Sequence, residues 1–423
     1  MTIDSNTNKS ICSYPFTHSY IGSKYERKLC CISEDIEELQ KTSLDEFWNS
    51  EFMRETRKKM IAGEKISHCN RCYYFEDVGV DSLRQESNRN YTWDELLETY
   101  DHETGEISRG PTYFDHRTIY CNLQCISCGH TYSSTHINLY EKMWGQKLNF
   151  HLDTEYEQKT AQEILDSLLK KECKNIYWAG GEPMMSKVHW LVVEMMETLS
   201  KDPEYADYIK KIGVHYNTNL TRVNWNGKHI PDMLEFYQPS IQASIDGTHE
   251  TFEYCRDGGS WETVEKNWNA YYEKLNKNEQ FGVASVLTSP VIMDIDRWFD
   301  FFEPYNVKVY NHKYISNMEL YPYGIQAFLD IKLFPKHIFD RVVNHAIDRF
   351  SNTKLIGAAK SVDILKSYIT EREANPHIFD NPEILKPIKR TTEHRDKFLL
   401  TNRKYSEVLK KIDPEAYEWY MSL

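Results

Sequence analysis

The chain has 423 residues and a formal net charge of −13, with 40% apolar and 13% aromatic residues. That length predicts two or three domains, and the composition excludes a chain dominated by disorder. So large an acidic excess disfavours broad binding to a phosphate backbone, which needs clustered Lys and Arg, so nucleic acid is not an expected partner.

The first ten residues are polar and lack the apolar stretch of a signal peptide, and no run of 18 apolar residues exists to span a membrane. In such a chain the ten cysteines are expected to be metal ligands rather than disulfides. The expected compartment is a reducing cytoplasm.

Half of the cysteines fall in the first 72 residues: Cys12, Cys30, Cys31, Cys69 and Cys72, the last two as a C-x2-C pair. Ser43-Leu44-Asp45-Glu46 reads as a capping box opening a helix, with Leu44, Phe47, Trp48, Phe52, Met60 and Ile61 on its apolar face and Gly63 as its stop. That helix would turn the chain back and bring Cys69 and Cys72 toward Cys12 and Cys30. Four thiols so placed suit either a zinc knuckle or an iron–sulfur cluster. The polar stretch from Asp77 to Gly110 reads as a connector with one short helix near Trp93 to Tyr100.

From Pro111 to about residue 330, β-rich runs alternate with amphipathic helical ones, the pattern of a parallel sheet built from βα units. Strands are predicted over Thr112–Tyr120, Asn175–Ala179, Ile212–Tyr216, Ser240–Ser244, Gly282–Leu287 and Val307–Asn311. Intervening helices are predicted over Thr160–Lys170, Lys187–Leu199, Trp261–Leu275 and Asp294–Phe302. In such folds ligands sit at the carboxyl ends of the strands.

Just after the first of these strands come Cys121, Cys125 and Cys128, spaced C-x3-C-x2-C. Three thiolates on one short loop can hold a cubane with one iron left open for a substrate or cofactor. With His130 the same loop could instead close a zinc site. Gly180-Gly181-Glu182-Pro183 ends the second strand: paired glycines let backbone approach a ligand, and a carboxylate beside them can accept from an ammonium. Asn217-Thr218-Asn219 and Ser244-Ile245-Asp246-Gly247 end the third and fourth strands and offer neutral hydrogen-bonding groups, although Asn, Asp and Gly also form plain turns. Cys173 and Cys255 stand outside both cysteine groups. They read as small core residues, with a hydrogen-donating role open for Cys255.

Beyond residue 331, helices are predicted over Phe334–Phe350, Lys354–Thr370 and Arg403–Leu423. A Pro-containing connector from Asn375 to Pro387 separates the last two.

The three-cysteine loop, Asn122 and the Gly-Gly-Glu-Pro run resemble the radical S-adenosylmethionine (SAM) enzymes. Cys12, Gly22, Cys30 and Cys69/Cys72 resemble the auxiliary-cluster module of the SPASM/twitch branch of that family. The resemblance implies a partial (β/α)6 TIM-like barrel over residues 111–330. It further implies a twitch-like auxiliary-cluster domain and connector over 1–110, and a helical segment over 331–423 packing on the barrel. It implies a [4Fe-4S] cluster on Cys121, Cys125 and Cys128, and a second cluster on Cys12, Cys30, Cys69 and Cys72. SAM would be held by Gly180, Gly181, Glu182, Asn219 and Ser244. The implied activity is reductive cleavage of SAM to a 5′-deoxyadenosyl radical that takes hydrogen from a substrate. That substrate would be a peptide or protein side chain, or alternatively a small metabolite (nucleotide, sugar or amino acid), with flavodoxin or ferredoxin as electron donor. The remaining alternative, should both cysteine groups hold zinc, is a zinc-stabilised binding protein without catalysis. The module stands before the core here, whereas family members more often carry it after. Cys31 is an extra thiol, so either of Cys30 and Cys31 could be the ligand. Ser127 stands where the family usually has a large apolar residue against adenine, so that contact is not expected in its usual form.

Overall fold

The computed structural model describes residues 7–77, 81–148, 152–277, 279–314 and 327–423. The chain divides into two compact units, one of Met1–Ile119 with Phe150–Tyr216 and the other of Tyr120–Asn149 with Asn217–Leu423. Both are mixed α/β with parallel strands. Part of the predicted connector, residues 78–80, and part of the predicted core, residues 315–326, lie outside the described residues.

The strands of the first unit are β1 (His18–Ile21), β2 (Arg27–Lys28), β3 (Tyr113–Thr118), β4 (Asn175–Gly180) and β5 (Gly213–Thr218), in spatial order β5-β4-β3-β1-β2. All neighbours run parallel except β1 and β2, which form a short antiparallel pair. The N-terminal segment thus adds two strands that its sequence did not announce. Strand β1 pairs directly with β3, Tyr20 opposite Asp115. The second unit contains β6 (Ser240–Ser244), β7 (Phe281–Ala284) and β8 (Lys308–Val309), again in parallel register. The predicted strand over Gly282–Leu287 divides into β7 and a separate pair of residues, Val286–Leu287, facing His312–Lys313.

The predicted helix from Ser43 to Gly63 is broken into Leu44–Trp48 and Glu51–Ile61. The capping box of Ser43 and Glu46 forms, but Ser50 caps a new helix by accepting from the Met53 N–H. The Asn49 side chain, between the two, is used elsewhere: its amide donates to Ile107 O at 3.0 Å and its oxygen accepts from Arg57 at 2.9 Å. Gly63 follows with φ of +84°, a conformation suited to a helix stop.

Arg57 pins this corner. Fully buried, it donates to Pro15 O (2.8 Å) and Trp48 O (2.6 Å), with its guanidinium over the Trp48 ring. Arg57→Leu would leave buried acceptors without donors, a loss of about 3 kcal/mol. A calorimetric scan should show the drop, and a melting temperature within a degree of wild type would refute it.

The stretch between Asp81 and Gly110 is more ordered than a connector. Ser82 and Gln85 form a second capping box that starts a helix at Leu83–Asn88. From it Asn88 accepts from Ser13 N (2.8 Å), and Arg84 donates to Ile11 O (2.8 Å), bracketing Cys12. The C-terminal segment also departs from expectation. Residues read as a connector form helices at Pro376–Phe379 and Pro382–Asp396, the latter with Pro387 inside it. The last predicted helix is interrupted where Asp413 caps Pro414–Ser422 by accepting from Ala416 N.

Candidate metal centres and cofactor site

In the first unit Cys12, Cys30, Cys69 and Cys72 line one small cavity of about 20 Å³ together with Leu29, Met60 and Arg84. Cys30 faces it; Cys31 is solvent-exposed and is not among its lining residues. The Ser33 hydroxyl and backbone fold the turn that separates them, Ser33 N donating to Cys30 O at 3.3 Å. All four thiols are free, not paired in disulfides. Burial pushes the Cys12 thiol up to about 11, against which the Tyr14 backbone and Ser87 act, and burial raises Cys30, Cys69 and Cys72 as well. The four also raise one another, which marks them as close neighbours. Thiolates in such a setting require a compensating cation, and a thiolate-bound metal supplies one.

In the second unit the loop of Cys121, Cys125 and Cys128 is fastened at each end. Residues Gln124–Cys125 pair antiparallel with Arg256–Asp257, and Ile126 N donates to Cys255 O at 2.9 Å. Cys128 N donates to Cys125 O at 2.9 Å, closing a tight turn, and His136 Nε2 contacts Cys125 O at 2.9 Å. Burial raises the Cys125 thiol, which the Arg256 guanidinium opposes from 3.7 Å. Cys128 is pushed up to about 12 by burial and by Cys125. Among the described residues no three His, Cys, Asp or Glu side chains already converge as a metal-binding group. The donor chemistry fits a soft iron–sulfur centre, and the side chains must turn inward to ligate it. His130, the candidate fourth zinc ligand, lays its ring near Tyr140 at 4.8 Å.

Asn219 belongs to the same fastening. Its amide donates to Asn122 Oδ1 (3.2 Å) inside the cysteine loop, and its oxygen accepts from Thr221 (2.6 Å), whose hydroxyl also accepts from Asn122 (2.9 Å). Asn219→Ala would remove one of the two side-chain bonds that hold Asn122 and cost about 1 kcal/mol of local stability. Faster loss of iron from the reconstituted protein under chelator is the expected readout; wild-type kinetics would refute it.

Ser244 ends β6, half-buried, with no side-chain partner among the described residues. Asp246 is committed to the protein: buried, it pairs with Arg256 Nε (2.8 Å) and accepts from Val286 N (2.7 Å). The C-terminal segment supports the strand facing Cys125, with Leu400 N donating to Asp257 at 2.6 Å. Nothing in the sequence pattern signalled that contact. Cys255 and Cys173 are both buried core residues, and Cys255 serves the loop through its backbone.

The Gly-Gly-Glu-Pro run lies in the first unit at the end of β4. Gly180 takes φ of +100°, and Gly181 N donates to Thr118 O at 2.6 Å. A Cβ on Gly180 would stand 2.2 Å from Thr118 O, so only glycine lets the two strands stay paired here. Glu182 is fully buried and caps the short turn after it, accepting from Met184 N at 3.0 Å.

No protein-family model matches the chain, and no curated protein matches it by sequence. Solved structures do match. "Native anSMEcpe with bound AdoMet" is 17% identical with a TM-score of 0.36, over 57% of this chain and 62% of that one. Streptococcus suis SuiB bound to S-adenosylmethionine is 13% identical with a TM-score of 0.36, over 70% and 63%. SuiB bound to precursor peptide SuiA is 13% identical with a TM-score of 0.35, over 67% and 60%. The chain is similar to proteins solved with AdoMet bound. The alignments span about three-fifths of each solved chain. Among the described residues no helix is long and apolar enough to cross a membrane.

Proposed function

We propose that the chain is a radical SAM enzyme of the SPASM/twitch branch. The observation that carries this reading is the loop bearing Cys121, Cys125 and Cys128, three thiols on one tightly anchored turn with Arg256 beside Cys125. In this reading those cysteines hold a [4Fe-4S] cluster, and Cys12, Cys30, Cys69 and Cys72 hold an auxiliary one. Residues 1–110 then form the auxiliary module, 111–330 a partial (β/α)6 barrel, and 331–423 the helical segment on it. When bound, the first cluster supplies the electron for reductive cleavage of SAM.

The chain's own residues prepare for that chemistry. Arg256 offsets negative charge at Cys125, and Asn122, Asn219 and Thr221 hold the loop in place. In this reading Gly180, Gly181 and Glu182 hold the amino end of SAM, Glu182 offering a buried carboxylate to its ammonium. Ser244 offers an uncommitted hydroxyl. The substrate class we assign is a peptide or protein side chain, with a flavodoxin or ferredoxin as electron donor and the cytoplasm as compartment.

The test is to reconstitute the protein anaerobically, add SAM and dithionite, and measure 5′-deoxyadenosine and methionine by chromatography. Both should form with wild type and be lost on replacing Cys121, Cys125 and Cys128 by alanine. A wild-type protein with full iron content that forms neither overturns the reading.

A further inference from the structure

The chain carries −13 overall, yet residues 386–404 hold seven Lys and Arg against two acids. They span most of the helix Pro382–Asp396 and the turn after it, in the unit that bears Cys121, Cys125 and Cys128. Helical spacing sorts the side chains. Leu385, Thr392, Arg395 and Asp396 are buried, while Lys386, Arg390, Glu393 and Lys397 follow one another at steps of three and four residues and are all exposed.

The fold draws the neighbouring acids inward. Asp396 pairs with Arg395 at 2.8 Å and accepts from Tyr405 N at 2.7 Å. Asp257 accepts from Leu400 N (2.6 Å) and Thr401 N (3.0 Å), and Glu253 pairs with Arg403. Two of the cations are also spent: Lys389 donates to Met421 O at 3.2 Å, and Lys404 pairs with Glu407 at 3.5 Å. Lys386, Arg390 and Lys397 have no hydrogen bond or ion pair among the described residues. Glu393 is the one acid on their stripe, so the exposed face is net positive.

The stripe ends at the three-cysteine loop. Three residues past Lys397, Leu400 is 51% exposed, and its N–H holds Asp257, whose strand pairs with Gln124–Cys125. A Cβ on Gly258 would stand 2.9 Å from Leu400 Cδ1 and 3.5 Å from Asn122 O, so the exposed leucine and the loop backbone flank the same glycine. His394, beside the stripe, meets the Trp144 ring at 6.3 Å, at the end of the helix Ser134–Trp144 that follows the loop.

We propose that Lys386, Arg390 and Lys397, with Leu400 at their end, form the docking surface for an acidic electron-carrier protein. Its use as an electron entry rests on the proposed function; its choice of an acidic protein rests on charge. One electron leaves the carrier and enters the centre held by the three-cysteine loop. Complementary charge speeds and orients the encounter, and a small interface suits a partner that must leave after each transfer. A long nucleic acid is a poorer fit, because three cations neutralise few phosphates and the rest of this acidic chain repels a polyanion.

The test uses the full chain, reconstituted without oxygen, with a flavodoxin and a ferredoxin as probes. Binding is read by calorimetry at low salt. Contacts are read with a carbodiimide, which joins a lysine amine to a touching carboxylate, followed by peptide mass spectrometry. At least one carrier should bind, more weakly as salt rises, with cross-links at Lys386 and Lys397. Lys386→Glu, Arg390→Glu and Lys397→Glu together should weaken binding about tenfold and slow carrier-driven SAM cleavage to match. Dithionite-driven cleavage should stay as in wild type. Undiminished binding by the variant, cross-links confined to other lysines, or affinity for an RNA oligonucleotide or anionic vesicles with none for either carrier would each overturn the surface. If dithionite drives no cleavage in wild type the enzyme reading fails, while binding and cross-linking still decide the surface.

Discussion

Wild-type protein, purified and reconstituted without oxygen, is expected to hold about eight irons and eight sulfides per chain, and the Cys121/Cys125/Cys128→Ala variant about four of each. The two ligand sets are separate sites. The three-cysteine loop belongs to one compact unit and the four-cysteine cavity to the other, so removing one ligand set leaves the second intact. Replacing Cys12 and Cys69 should remove the complementary four. Replacing Cys31 should remove none, because that thiol is exposed and outside the cavity, whereas Cys30→Ala should empty it. Four irons falling to none in the loop variant would leave one cluster and no auxiliary centre. Zinc at both sites would refute the enzyme reading altogether.

The parts legible in the sequence are those whose signal is local. A C-x3-C-x2-C loop needs only its own spacing to be recognised, and strands β3, β4 and β6 follow β-rich runs close to their predicted limits. Pairing across the chain was not legible. Strand β1 is four residues, all buried, without the alternation that marks a half-exposed strand. Asp115 and Arg117 carried no signal in the sequence; the parallel register beside Tyr20 and Tyr177 is what brings them together as an ion pair inside the sheet. The choice between Cys30 and Cys31 likewise depends on the turn at Ser33, which no spacing rule specifies. The broken helix after Trp48 was readable in part, since Ser50 is a good cap. What tipped the balance was Asn49, drawn to Ile107, 58 residues away.

Gly180→Ala is the single substitution expected to do most damage without removing a cysteine. Two costs add. The backbone there has φ of +100°, which an L side chain rarely adopts, and the new Cβ would stand 2.2 Å from Thr118 O and 2.6 Å from Thr118 N. Neither contact can be relieved by a rotamer change, because both are backbone atoms of the neighbouring strand. The expected loss is about 2–6 kcal/mol, combining left-handed strain with overpacking, or roughly 10 °C in melting temperature. Gly63→Ala separates the two terms: its φ is +84°, yet nothing lies within 4 Å of its would-be Cβ. That variant should lose only about 1 kcal/mol, the strain alone. If the two variants melt together, the close approach of β3 and β4 at Gly180 is relaxed in solution and the strand end is not the tight seam it forms here. If Gly180→Ala melts far lower, the seam is real. The Glu182 carboxylate, two residues on, is then fixed in place by backbone that no other residue type can supply.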